Sequence, residues 1–281
     1  MRAVSTRTRL FGKEWKTSVI EMNANNYTFG DSDRAAVRLR RLAELYEPET
    51  RDLLLRAGIY SPKLAVDLGC GPGWSTSLLQ EVLRPGRTVG LDSSERYIAE
   101  ARRGPFTNID FNVHDVLHIP FPVQSPNVFF CRFLITHLSR PAKALEDWAA
   151  VAAPGATLLV HETESIESWH PVLRRYYDLV GKLQAHYRQS LRIGARLDML
   201  VSSNGWKVAE CTSLELHKSA KDMAELHSAN LQTWRTDEYA RQAFDSGEID
   251  RLQTSLDRIA QGAEDAGEVI DVAKQIIAKR A

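Results

Sequence analysis

The stretch VDLGCGPGWSTSLLQEVLRPGRTVGLDSS, Val66 to Ser94, constrains the fold more than any other part of the chain. An apolar run carrying an acid, Asp67, gives way to three glycines at alternate positions, Gly69, Gly71 and Gly73. A helical pattern starts at Trp74, and a second apolar run closes on Asp92, 19 residues after Gly73. Glycines at the end of a buried strand let backbone come close to a ligand, and an acid at the end of the next strand can accept both hydroxyls of a ribose. Taken alone, the spacing fits a dinucleotide as well as a smaller nucleoside, because any tight strand-to-helix turn favours glycine.

The rest of the chain repeats this alternation. Apolar runs at 63–69, 88–92, 109–115, 127–133 and 156–162 read as strands, with helices at Trp74–Leu83, Ser94–Arg103 and Pro141–Ala152 between them. Short strands alternating with helices predict a parallel sheet with crossover helices. Pro141 suits a first helical turn, where its missing N–H is not needed. Upstream, Ala35, Ala36, Leu39, Leu42, Ala43 and Tyr46 recur at helical spacing, with Asp31 or Ser32 as N-cap, and Pro48 restarts a helix that ends at Gly58. Residues 164–204 read as helices rich in Trp, Tyr, His and Arg, 206–216 as a sixth strand, and about 221–261 as helical. The tail VIDVAKQIIAKR fits either strand or helix by periodicity.

Two acids separate the possible ligands. Asp67 stands just before the glycines, where it would repel a diphosphate and attract an ammonium. Asp115 ends the third strand, where it can accept the exocyclic amine of an adenine while the Val116 N–H pairs with a ring nitrogen. Ammonium, ribose diol and adenine together describe S-adenosylmethionine. Lys+Arg and Asp+Glu number 36 each, so no basic field draws nucleic acid. Three scattered cysteines without CxxC spacing read as reduced thiols. No apolar run approaches the ~20 residues of a membrane span. The expectation is a cytoplasmic protein without nucleic-acid or membrane partners.

VDLGCGPGWST, VGLDSS, VHDVLHIPF and CRFLITHLSRPAKAL resemble successive motifs of the class I S-adenosylmethionine-dependent methyltransferases, over roughly residues 60–165. Upstream, YTFGDSDRAAVRLRRLAELYEPETRDLLLRAG resembles the N-terminal cap of a small-molecule branch of that family, and KQIIAKR its closing strand. The resemblance implies an α/β, Rossmann-like seven-stranded sheet, parallel except for the last strand, with helices on both faces. It divides a single domain, 1–281, into a helical cap (1–58), a cofactor-binding core (60–163), a helical lid (164–204) and a closing segment (205–281). It makes the tail a strand. It places Gly69 and Gly71 at the methionine end, with Cys70 beside them, Asp92 and Ser93 at the ribose, and Asp115 and Val116 at the adenine. Tyr27 and Arg38 in the cap, and Arg132 after strand four, become candidates for closing over the cofactor. Arg38 reads equally as a solvated helix charge, and Cys70 and Cys131 as small packing residues.

Such an enzyme would transfer a methyl group to O, N, C or S of a small, partly aromatic molecule of secondary-metabolite type, leaving S-adenosylhomocysteine. The metal-dependent catechol branch places acids near the end of strand four; FFCRFLITH carries none there, so no metal is expected. Ligands of open α/β sheets collect at the carboxyl ends of the strands, so His161 and Glu162, at the end of strand five, are the expected catalytic bases. His170 and His137 are further candidates, and His137 also fits a purely backbone-bonding role. A homodimer is the candidate assembly. The alternatives are a nicotinamide-dependent oxidoreductase and a catalytically inactive binding partner with the same fold.

Overall fold

The computed structural model describes residue 30 and residues 33–281. Tyr27, Asp31 and Ser32 lie outside the described residues. Two helices, α1 (Asp33–Leu45) and α2 (Glu47–Arg56), precede the sheet, and Pro48 stands in the first turn of α2. There follow β1 (Leu64–Leu68), α3 (Trp74–Leu83), β2 (Arg87–Asp92), α4 (Glu95–Arg103), β3 (Ile109–Val113), β4 (Val128–Arg132) and α5 (Pro141–Val151). After these come β5 (Thr157–Ser168), α6 (Pro171–His186), α7 (Leu197–Ser202), β6 (Trp206–Ser219), α8 (Ala220–Trp234), α9 (Glu238–Ala243), α10 (Ser246–Ala260) and β7 (Glu268–Arg280). Pro141 opens α5 as expected, and the Ser94 hydroxyl caps α4 by accepting the Tyr97 N–H at 3.1 Å.

The seven strands lie in the order β3-β2-β1-β4-β5-β7-β6. β1 to β5 run parallel, and β7 is antiparallel to both β5 and β6. β4 shows why the central strands read as unbroken apolar runs. Phe129 packs into a core with Trp148 and Trp206, while its neighbour Phe130 packs into another with Leu53, Leu54 and Leu79. Successive side chains enter opposite faces, and helices cover both. Among the described residues, no helix is long and apolar enough to cross a membrane.

The structure corrects the boundary of the expected lid. Residues 164–168 are not helical: β5 continues to Ser168, paired with β7 from Thr157↔Lys279 to Ser168↔Val269. β4 pairs with β5 only as far as His161. The outer half of β5 therefore loses one neighbour and carries the mixed sequence TESIES, which hides its strand character. This longer part of the sheet supports a second core, built from α6, α8, α9 and α10 around Leu173, Leu183, Leu231 and Leu256.

Candidate functional site

The site begins where β1 ends. Gly69 sits at φ +67° and Gly73 at φ +95°, both in the left-handed region that favours glycine. A Cβ on Gly69 would lie 2.6 Å from Leu134 Cδ1, so the turn and the loop after β4 pack at backbone distance. Asp92, the last residue of β2, is locked from two sides: its Oδ2 accepts the Gly71 N–H at 2.8 Å and its Oδ1 accepts the Ser94 N–H at 2.9 Å. Asp115 folds its own loop, accepting the Leu117 N–H at 2.9 Å and facing His118 Nδ1 at 2.8 Å. The Val116 carbonyl is fixed by the Trp148 Nε1–H at 2.9 Å.

One cavity of about 500 Å³ joins these groups. Gly69, Cys70, Gly71, Asp92, Ser93, Asp115, Val116, Arg38 and Arg132 all line it. Arg38 is buried and donates from Nη1 to Asn230 Oδ1, which ties α1 to α8. Arg132 donates from Nη1 to Thr50 Oγ1 at 2.9 Å. Burial pulls the Arg132 guanidinium down to about 10, against the opposing charge of Asp67.

Asp67 is a correction. Its carboxylate does not line the cavity; it is 1 % exposed and turned under α3, where Oδ2 accepts from Ser75 Oγ and Thr76 Oγ1, each at 2.7 Å. It secures the first turn of the helix that follows the glycines. Burial raises it to about 6, opposed by those two hydroxyls.

His161 and Glu162 are also corrected. Both are fully buried and neither lines the cavity. The Glu162 Oε1 accepts the Ile135 N–H at 2.6 Å, and burial pushes its carboxyl up to about 8. The His161 carbonyl accepts the Phe133 N–H at 2.9 Å. Its ring packs edge-on against Phe133 at 5.2 Å, and Tyr46 packs edge-on against Phe133 at 4.9 Å. Phe133 stands at φ +52°, a conformation that costs a bulky side chain on the order of 1–3 kcal/mol. His161 and Glu162 hold that strained loop, which forms a cavity wall. His170 lies outside the cavity too, at the start of α6, 3.2 Å from Glu264 Oε1.

The inner end of the cavity is walled by α1, α6 and α8. Tyr176, Tyr177, Val180 and Gln184 of α6 face Met223, Leu226, His227 and Asn230 of α8. His227 stacks on Tyr176 with ring centres 4.2 Å apart, and its Nε2 is 2.9 Å from the Tyr177 hydroxyl. His137 also lines this end, with Nδ1 3.5 Å from Gln184 Nε2. Burial, reinforced by the charge of Arg38, pushes both His137 and His227 down to about 3, so both imidazoles are neutral at pH 7. Sequence reasoning read 164–204 as helices rich in Trp, Tyr, His and Arg but missed His227 and Asn230 of α8. The available signal was their spacing: Met223, His227 and Asn230 share one helix face, so two polar residues stand in a buried stripe. Among the described residues, no group of three or more His, Cys, Asp or Glu is arranged to hold a metal ion.

Residues 65–155 match the family described as "Methyltransferase domain". The chain is 33% identical over 145 residues to the trans-aconitate 2-methyltransferase of Methylobacterium nodulans, covering 51% of this chain and 55% of that protein. A trans-aconitate 2-methyltransferase of Yersinia pestis is 27% identical over 201 residues, covering 70% of this chain and 69% of that one. The chain spans about half the length of the first relatives it matches. Among solved structures, the phosphoethanolamine N-methyltransferase 2 of Haemonchus contortus, determined with S-adenosylhomocysteine, superposes with a TM-score of 0.56 at 14% identity, covering 91% of this chain and 58% of that one. A cyclopropane synthase of Mycobacterium tuberculosis gives 0.54 at 15% identity, covering 83% of each chain. At these identities the likeness to the solved structures is one of fold.

Proposed function

We propose that this chain is a class I S-adenosylmethionine-dependent methyltransferase that methylates a small molecule held at the inner end of its cavity. One observation carries the reading. A single cavity runs from the glycine turn, Asp92 and Asp115 at the strand ends to a chamber walled by aromatic and neutral polar side chains. The donor set fits the cofactor: a locked carboxylate for a ribose diol, a second acid with adjoining backbone for an adenine, and a turn without side chains on Gly69 and Gly71. When bound, S-adenosylmethionine supplies a methyl group already activated by its sulfonium.

The remaining work falls to this chain's residues. Asp92 and Ser93 would hold the ribose, Asp115 and Val116 the adenine, and Gly69, Cys70 and Gly71 would flank the methionine end. Arg38 and Arg132 would close over the site. Asp67 acts from behind, keeping α3 and the turn in place. The chamber wall excludes water and orients the acceptor, which is the principal demand when the transferred group arrives activated. Its imidazoles are too weakly basic to strip a proton from an unactivated hydroxyl. The relatives' name, trans-aconitate 2-methyltransferase, supports a small-molecule acceptor; the aromatic wall supports one with a flat, partly aromatic body.

Calorimetry tests the reading directly. S-adenosylhomocysteine should bind the chain and NAD should not. Tight NAD binding without S-adenosylhomocysteine binding overturns it. Mass spectrometry of cell extracts incubated with labelled cofactor would then identify the product.

A further inference from the structure

Two polar atoms at the inner end of the cavity have no hydrogen-bond partner although their residues are deeply buried: His227 Nδ1 and Gln184 Oε1. Gln184 is fully buried and His227 is 7 % exposed, and both line the cavity. A buried polar atom left unpaired costs on the order of 1–3 kcal/mol, and because these two line the cavity a ligand atom that pairs with either recovers that cost. The two are set apart along α6. His227 sits against Tyr177, and Gln184 is seven residues, two turns, further along the same helix face. At 1.5 Å per residue the rise along α6 from Tyr177 to Gln184 is about 10 Å. Ile166, Val180 and Met223 give the same cavity apolar lining.

Resting on the methyltransferase reading, we propose that His227 and Gln184 are the two polar anchors of the acceptor, and that the acceptor is an uncharged, flat molecule of about two fused rings with a hydroxyl group at each end. The chemistry of each anchor selects a hydroxyl. Gln184 presents a carbonyl oxygen, which needs a donor; a carboxylate has none. His227 Nδ1 is a donor if the Tyr177 hydroxyl donates to Nε2, and an acceptor in the other tautomer. A hydroxyl satisfies either. Charge excludes a protonated amine: it would meet the positive field of Arg38, the same field that, with burial, holds His227 and His137 neutral. The class differs from the organic acid in the relatives' name. A pair of buried waters could fill the same two places, and the experiment separates that case.

The probes are 2,6-dihydroxynaphthalene, 2-naphthol, naphthalene and 2,6-naphthalenedicarboxylate, titrated into the protein loaded with S-adenosylhomocysteine. Each hydroxyl should tighten binding by about tenfold, the value of one net hydrogen bond, and the dicarboxylate should bind worst. His227→Phe, which keeps the stacked ring, and Gln184→Leu should each remove the advantage of one hydroxyl while leaving S-adenosylhomocysteine affinity unchanged. His227→Asn, whose amide nitrogen can reach the Nδ1 position, should restore most of it. Equal binding of diol and hydrocarbon, as water-filled ends would give, overturns the inference. So does tighter binding of the dicarboxylate, no binding of any probe, or a diol affinity that ignores both substitutions. If the wild-type protein binds no S-adenosylhomocysteine, the methyltransferase reading fails and this inference with it. If it binds S-adenosylhomocysteine without preferring the diol, only this inference fails.

Discussion

Asp92 shows how much one residue can do when the backbone fixes its orientation. Both oxygens are held by N–H groups of separate loops, so the carboxylate presents one pose to the cavity. Charged hydrogen bonds are worth about 1.5–3 kcal/mol each. Asp92→Ala should therefore weaken S-adenosylhomocysteine binding by roughly 2–4 kcal/mol with an unchanged circular dichroism spectrum, and Asp92→Asn, which keeps one acceptor oxygen, by less. Unaltered affinity in a folded Asp92→Ala protein would refute the ribose role. That Asp92, Asp115, Gly69 and Gly71 meet at one cavity was legible in the sequence because each stands at a strand end, where position along the chain announces position in space. Glu162 was misjudged for the converse reason. It also sits at a strand end, yet its carboxyl turns to the backbone of Ile135, 27 residues away. Nothing in the local spacing reveals that contact. His227 meets Tyr177 across 50 residues, and only the packing of α8 on α6 brings the two together.

At the scale of elements, the site depends on how closely the glycine turn and the loop after β4 approach. Gly69→Ala would place a methyl 2.6 Å from Leu134 Cδ1 and force an L side chain to φ +67°. The left-handed conformation alone costs about 1–2 kcal/mol, and the clash adds to it. We expect the variant to lose about 2–3 kcal/mol of stability in urea melts and to bind S-adenosylhomocysteine more weakly. Leu134→Ala in the same chain should recover the clash but not the strain, giving a coupling of the size found between residues in contact. Additive effects would mean that turn and loop do not press on each other. β7 shows what periodicity could and could not reveal. Its outer half alternates, with Val269, Asp271 and Ala273 buried, but Gln275 to Ala278 are buried without a break because both faces are covered. That run also fits a helix. The buried polar residues on the strand have a purpose absent from any local pattern: Asp271 accepts from the Tyr46 hydroxyl at 2.5 Å, and Gln275 donates to the Glu49 carbonyl at 2.8 Å, pinning the N-terminal helices to the sheet.

For the whole molecule, buried titratable groups of opposite kind set the dependence of stability on pH. Burial holds His161, His227 and the half-buried His137 down at about 3, and raises Asp67 and Asp271 to about 6 and Glu162 to about 8. The imidazoles remain neutral in the native state while the unfolded chain takes up protons near pH 6.5, so they lower stability as pH falls below that value. The carboxyls do the reverse. The native state holds their protons at pH values where the unfolded chain has released them, so their contribution is largest below about pH 4 and is lost as pH rises through 6 and then 8. Between about pH 4.5 and 6 the two sets nearly cancel, three groups against three. Below about pH 4 the unfolded carboxyls are protonated as well, and of these six groups only the imidazoles still respond. Stability should then fall by up to ~4 kcal/mol per pH unit, three protons at 1.36 kcal/mol each. Urea melts should thus show a plateau from about pH 4.5 to 6, a mild decline towards pH 8 and steep acid unfolding. Glu162→Gln removes one carboxyl, so relative to wild type it should gain stability progressively between pH 4.5 and 8, on the order of a few kcal/mol. A wild-type protein that weakens steadily by several kcal/mol between pH 6.5 and 5 would show the imidazoles titrating unopposed. A constant difference between Glu162→Gln and wild type across that range would show that the Glu162 carboxyl is not raised by its burial against the loop after β4.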